Sequence, residues 1–411
     1  MPFAVYVLGL AVFAQGTSEF MLSGLLSGIA DDLGVSLSAA GLLTSAFAVG
    51  MAVGAPLTAL AGRAWPRRRA LLFFLGVFVA VHVAGALTTG YGVLLATRVV
   101  GALANAGFWA VALVTAMDLA GPERRARATA VVVGGVTVAC VVGVPAGALL
   151  GELWGWRSAF WAVALVSLPA AFALLRAVPG GRAGDGPPAS ARTELSALAR
   201  PRLLLTLLVM ALVQGATFCT FSYLEPLVTR VTGFGAGWVP VVLALFGVGS
   251  FAGVTLAGRL ADSRPKAVIG TGLVALTAGW AALALTAARP AAALVLVLVQ
   301  GALAFGTGTA LISRVFQQAP EAPTLAGSFA TAAFNVGAAA GPWLGGLALG
   351  AGLGFRAPVW VSALLMGAAL AGAGVLRATS VAPARAGLGG VTPRADDRTS
   401  RADDRTSRAD G

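Results

Sequence analysis

Of 411 residues, 58% are hydrophobic and 11% charged, and mean hydropathy is +0.88, whereas a soluble domain carries about 25% charged residues. The chain is therefore expected to be a polytopic membrane protein. Its net charge of +12 does not read as a nucleic-acid surface, because the basic residues sit in short loops between apolar runs rather than on one amphipathic face. An enzyme is also excluded as an expectation: one histidine and two separated cysteines leave little from which to build a catalytic constellation, and neither a metal nor a cofactor is called for.

In chain order, apolar runs of spanning length fall at 3–27, 38–62, 70–89, 91–116, 127–150 and 158–175. A polar stretch, 176–202, with Pro187-Pro188 and five arginines, reads as a linker. Six further runs follow at 203–227, 237–260, 267–287, 290–313, 326–349 and 357–376. The predicted organisation is a bundle over 1–175, a linker over 176–202, a second bundle over 203–376, and a disordered tail over 377–411 that repeats Arg-Ala-Asp-Asp-Arg-Thr-Ser with nothing large and apolar to bury.

Alternate loops divide the basic residues unequally. The loops at 63–69, 118–127, 176–202, 259–266 and 314–321, together with the tail, hold 23, and the opposite set holds only Arg157, Arg230, Arg289 and Arg356. Positive residues favour the cytoplasmic side, so the reading is a multi-pass protein of the cell membrane with both termini in the cytoplasm.

The first run contains a carboxylate, Glu19. An acid in such a segment costs about 2.5–3.5 kcal/mol even on the lenient insertion scale, so it is expected to face a partner or a wet cavity. Arg98 lies inside the fourth run, and both charges sit ~10–12 Å from the outer ends of their runs at 1.5 Å per residue. Gln15 shares the helix face of Glu19, and Asn105 that of Arg98. On the seventh run Gln214, Thr217, Phe218, Phe221 and Glu225 share a face, with Tyr223 beside them, and Asn335 is a polar position on the eleventh. These are the candidate substrate contacts. Cys140 and Cys219 are read as small packing residues, since two thiols in separate apolar runs make neither a disulfide framework nor a metal-ligand spacing, and His82 as structural, having no second titrating neighbour in sequence.

An internal repeat supports two parallel halves. Gln15-Gly16 recurs as Gln214-Gly215, and Phe47-Ala-Val-Gly50-x-x-x-Gly54 as Phe246-Gly-Val-Gly249-x-x-x-Gly253. Gly101-Ala-Leu-Ala104 recurs as Gly301-Ala-Leu-Ala304, and Gly155-Trp-Arg157 as Gly354-Phe-Arg356. The near-constant offset, across an even number of spans, gives an all-α membrane protein of twelve transmembrane helices in two parallel-repeat six-helix bundles.

This plan resembles the major facilitator superfamily. Gly134, Gly143-Val-Pro145-Ala-Gly147 and Gly151 in the fifth run are similar to the antiporter motif of its twelve-span drug:proton antiporters, and Arg98-Val-Val-Gly-Ala-Leu-Ala-Asn105-Ala-Gly107 resembles its fourth-span arginine motif. Stacked glycines permit close helix approach while Pro145 bends the span, which suits a rocking contact. The loop after the second run departs from the family pattern in lacking an aspartate, whereas Asp262 supplies one in the matching loop of the second half. Thr17-Ser-Glu19-Phe, Leu103-Ala-Asn105-Ala-Gly-Phe108 and Gly143-Val-Pro145 are most similar to actinobacterial chloramphenicol-resistance exporters. The resemblance implies a cleft between the halves lined by the first and fourth spans, a Glu19–Arg98 pair that couples protons, and efflux of a small lipophilic drug, chloramphenicol or a related phenicol. A facilitator that moves an endogenous metabolite is the alternative, since the same fold serves both.

Overall fold

A computed structural model describes residues 1–61, 65–178, 200–260, 265–319 and 323–386. Among these residues there are twelve helices long and apolar enough to cross a membrane. They are Phe3–Gly24, Leu37–Ala55, Arg67–Leu87, Tyr91–Ala120, Arg127–Trp154 and Arg157–Ala177 in the first half. The second half supplies Pro201–Ser222, Ala236–Ala257, Ala267–Thr286, Pro290–Gln318, Phe329–Gly350 and Ala357–Gly374. They are called the first to twelfth spans below. Expected Asp262, and most of the linker and tail, lie outside the described residues. The twelfth helix runs Ala357–Ala386, past residue 376 where the tail was expected to begin, because the sequence there stays rich in alanine, the strongest helix former.

Two spans are broken where the sequence alone suggested continuity. In the first, the α-helix ends at Phe20, a 3-10 turn covers Met21–Gly24, and a short helix, Leu26–Leu33, follows. Glu19 thus stands in the last turn of a helix. In the fifth, a π turn at Ala139–Gly143 joins Arg125–Val138 to Val144–Trp154. Pro145 has no N–H to donate to the carbonyl four residues back, and its ring crowds that carbonyl. The wider π turn just before it accommodates both consequences.

The repeated glycines do the same work in both halves, which is why the repeat is visible at all. A Cβ on Gly50 would lie 2.7 Å from Ala102 Cβ and one on Gly54 2.9 Å from Ala106 Cβ, so both hold the second span against the fourth. Their counterparts Gly249 and Gly253 meet the backbone of Leu298 and Ala302, holding the eighth span against the tenth. Small residues at such seams are how membrane helices approach without a hydrophobic driving force.

Each half has its own apolar core. One gathers Leu8, Leu22, Phe78, Phe108 and Phe160, and the other Met210, Leu276, Trp280, Val297 and Met366. Phe20, Cys140, Val144 and Ala148 of the first half belong to the core of the second, which locates the seam. Hydrogen bonds that join the halves, two from Ser27 to Glu225 and one from Ser38 to the carbonyl of Gly346, lie at the end away from the chain termini. Elsewhere along the seam Gly24 packs against Leu243, and Gly247 against the carbonyl of Cys140 at mid-span.

At the terminal end Arg67 bonds Asp118 at 2.5 Å. The loop after the second span lacks its own acid, and the fourth span provides one instead. At the opposite end Asp32 accepts from Arg157 Nη1 at 2.5 Å and from Trp156 Nε1 at 3.1 Å, while Arg157 Nη2 donates to the carbonyl of Thr88. The hydrogen bond from Arg157, reinforced by its charge, holds the Asp32 carboxyl below the usual range.

Candidate functional site

Arg98 is 2% exposed, the most buried charged side chain in the fourth span. It does not bond Glu19 directly: Nη1 donates to Ser18 Oγ at 2.9 Å and Nη2 to the Ser18 carbonyl at 2.8 Å. The guanidinium lies over the ring of Phe47, 4.4 Å from its centroid, a contact worth about 2 kcal/mol when desolvated. Ser18 belongs to the helix end that also carries Glu19, so the cation and the acid meet at one point of the first span. Glu19 keeps part of its side chain exposed, whereas Ser18 is wholly buried.

His82, read from the sequence as structural, joins the same cluster through Ser18. Its Nε2 is 2.7 Å from Ser18 Oγ and its Nδ1 is 2.7 Å from the Phe78 carbonyl. A carbonyl only accepts, so Nδ1 carries the proton. The third span reaches the first through this ring, which packs between Phe78 and Phe160 at centroid distances of 4.2 and 5.7 Å. Sequence spacing could not reveal a contact across 64 residues. The available signal was the rarity of an ionisable residue within a span.

Gln15 and Asn105 are both 0% exposed, and neither side-chain amide has a hydrogen-bond partner among the described residues. An unpaired buried polar group costs about 1–3 kcal/mol, so these two amides are the side chains of this region best placed to reward a polar ligand group. Across the seam, Gln214 and Glu225 are partly exposed and Thr217 is buried, its hydroxyl turned to the Val213 carbonyl of its own helix. Asn335 donates to the Thr331 carbonyl at 2.9 Å, one turn back on its own helix.

The aromatic face of the seventh span packs across the seam. Phe218 and Phe221 pack on Phe20 at 5.5 and 6.3 Å, and Phe221 packs on Phe246 at 4.6 Å. They close the seam directly beside Glu19. Tyr223 is 2% exposed, donates to the Pro342 carbonyl at 2.9 Å and packs against Gly41 and Gly346. Glu225 lies beyond the end of the seventh span, in the short helix Leu224–Arg230, where Oε2 accepts from Ser27 N–H at 3.1 Å and Ser27 O–H at 2.7 Å. In this conformation these residues hold one another rather than line open space.

The glycines of the fifth span form a ladder against the first. Gly143 faces Thr17, Gly147 faces Met21 and Gly151 faces Leu25, each step four residues along both segments. Gly134 is not part of it, since a Cβ there would meet nothing within 4 Å. Its neighbour Gly135 takes that place, with a Cβ falling 2.5 Å from the Gly9 carbonyl. The ladder brackets Ser18 and Glu19, so the fifth span fixes the helix end that carries the acid.

Comparison with known proteins matches residues 8–327 to the Major Facilitator Superfamily. The chain is 55% identical over 392 residues to the chloramphenicol resistance protein of Streptomyces lividans, covering 94% of this chain and 100% of that protein. It is 35% identical over 368 residues to the inner membrane transport protein YdhP of Escherichia coli K12, covering 90% and 94% of the two chains. Among solved structures, a bacterial homologue of the human lysosomal transporter Spinster, in an inward-facing and unoccupied conformation, superposes with a TM-score of 0.71 at 19% identity, covering 93% of this chain and 96% of that one.

Proposed function

This chain belongs to the Major Facilitator Superfamily, a multi-pass membrane transporter rather than an enzyme, and from that premise we propose that it exports chloramphenicol or a related phenicol in exchange for protons. The single observation that carries the coupling is Glu19: a carboxylate at the end of the first membrane helix, partly exposed, with Arg98 bonded to the adjacent residue. Both termini lie in the cytoplasm on this reading, in line with the basic loops. The end bearing Ser27 and Glu225 then faces outward and is shut, and the halves 1–175 and 203–376 rock about that seam across the linker 176–202.

The cycle needs one acid. Protonation from the acidic exterior removes the charge of Glu19 and weakens its hold on the drug; loss of the proton to the cytoplasm readies the site for the next molecule. Gln15 and Asn105, with unpaired amides, receive polar groups of the drug, and Gln214, Thr217, Phe218, Phe221, Tyr223, Glu225 and Asn335 complete the cleft as the halves part. A ligand gains by satisfying buried amides that otherwise cost stability. Gly143, Pro145, Gly147 and Gly151 transmit the rocking of the fifth span to Glu19, and Asp262 belongs to the cytoplasmic loop of the second half.

Expression in an efflux-deficient host, scored on a panel of antibiotics, tests the substrate. Chloramphenicol tolerance should rise and intracellular drug should fall. Unchanged accumulation at verified expression removes phenicols and leaves the transport of an endogenous metabolite.

A further inference from the structure

Arg98, Ser18 and His82 form a hydrogen-bond chain in which each link has one donor and one acceptor. Arg98 Nη1 donates to Ser18 Oγ, so that hydroxyl keeps its one proton to give. His82 Nε2 stands 2.7 Å away to take it, and His82 Nδ1–H is anchored on the Phe78 carbonyl. The chain runs across three helices and ends on a backbone atom, so it fixes the direction of each hydrogen bond and the rotamer of each side chain. Arg98 Nη2, on the Ser18 carbonyl, adds a second bond at 2.8 Å, and Phe47 covers the guanidinium face. Only Nε is left without a partner.

We propose that His82 and Ser18 act as a lock that parks Arg98 beside Glu19 without letting it form an ion pair, so that the carboxyl stays available for proton exchange. The idea rests on the assignment of Glu19 as the coupling acid. A long, planar cation set free next to a carboxylate makes a paired, bidentate contact with it, and a carboxylate so paired resists protonation. His82 is a positioning residue here, acting on Glu19 through Ser18 and Arg98. The titratable or charged groups that act on Glu19 are Arg98 on the fourth span and Cys140 on the fifth, and His82 on the third acts on Arg98. From the second half, the seventh span presents Phe218 and Phe221 to Phe20, and Phe246 of the eighth packs on Phe221; none of these titrates.

The test titrates the acid itself, with no drug present. Infrared difference spectra of the purified protein in lipid nanodiscs follow the carbonyl band of the protonated carboxyl as pH is varied, the band being assigned by its disappearance in Glu19→Gln. Ser18→Ala and His82→Leu should each move the midpoint of that band toward acid by about one pH unit, the low end of the effect of an arginine beside a carboxylate. His82→Gln, whose amide oxygen can still accept from Ser18, should restore a midpoint near that of the parent. Ser18→Ala barely changes packing volume, so it keeps the test open should His82→Leu fail to fold. Midpoints unmoved in both variants, with the Glu19 band present, overturn the lock while leaving Glu19 as the coupling acid. A spectrum in which Glu19→Gln removes no titrating band instead overturns the assignment of Glu19, and the lock with it.

Discussion

Ser27 and Glu225, 198 residues apart in sequence, share two hydrogen bonds through a single carboxylate oxygen, at 3.1 and 2.7 Å. They tie the exit of the first span to the start of the short helix after the seventh, and with Ser38 and Gly346 they hold the two halves together at one end. A contact of this kind must break whenever that end opens.

Glu225→Gln should therefore favour opening of that end. Neutralising the acceptor turns a charge-assisted bond into an ordinary one, a loss of about 1 kcal/mol or roughly fivefold in the ratio of closed to open forms. Spin-label distances across the seam measure this ratio, and an unchanged distribution counts against the gate. A Ser27→Cys, Glu225→Cys pair offers the converse check: oxidised, it should stop transport, and reduced, it should recover.

Gly147→Leu should block transport and lower stability by about 1–3 kcal/mol, the usual cost of forcing extra methylenes into a packed interface. Gly147 faces Met21 directly, with Ala159 behind. Gly134→Ala, at a position with open space around it, should be nearly silent. Thermal unfolding followed by tryptophan fluorescence, together with drug accumulation, separates the two.

Asp32 predicts a pH dependence confined to the end of the first half away from the chain termini. Its carboxyl is held below the usual range, chiefly by the hydrogen bond from Arg157, so its folded form binds its proton less readily than the unfolded chain does. The stability it contributes is present above the unfolded value and is lost as pH falls through the folded one. Asp32→Asn should flatten that acid limb, by no more than about 1 kcal/mol for an exposed pair. Melting temperatures of parent and variant should converge at low pH and separate near neutrality.

Arg98→Ala should abolish drug-driven transport while leaving the protein folded and in the membrane. The change removes the cation beside Glu19 and strips the donors from the Ser18 hydroxyl and carbonyl, at a stability cost of about 1–3 kcal/mol for the groups left unpaired. Full transport by a well-expressed variant contradicts a role for this arginine.

Span number, repeat and seam glycines were legible because they are written in local composition and in offsets along one chain. Gly50 and Gly249 are each a glycine for the same steric reason, and the sequence repeats because the packing does. Glu19 and Arg98 were legible because charge inside a span is rare. Their relationship was not: helix periodicity placed both at matching depth but could not show that Arg98 takes Ser18 rather than Glu19. The contact of His82 with Ser18 was hidden for the same reason, since it joins two different helices. The break after Phe20 was hidden by an apolar run that continues through Leu26 regardless of the turn at Met21–Gly24. Gly134 and Gly135 are adjacent glycines on different faces, and only the packed helices tell which one touches Gly9.

The central claim is that Glu19 carries the proton that drives export, and transport in reconstituted vesicles with an imposed pH gradient tests it most directly. Glu19→Gln keeps size and hydrogen-bonding capacity while removing titration. The variant should still bind chloramphenicol, with affinity independent of pH, and should fail to accumulate it against a concentration gradient. Uphill accumulation by Glu19→Gln at the parental rate would contradict the account and shift the coupling role to another acid, with Glu225 first in line.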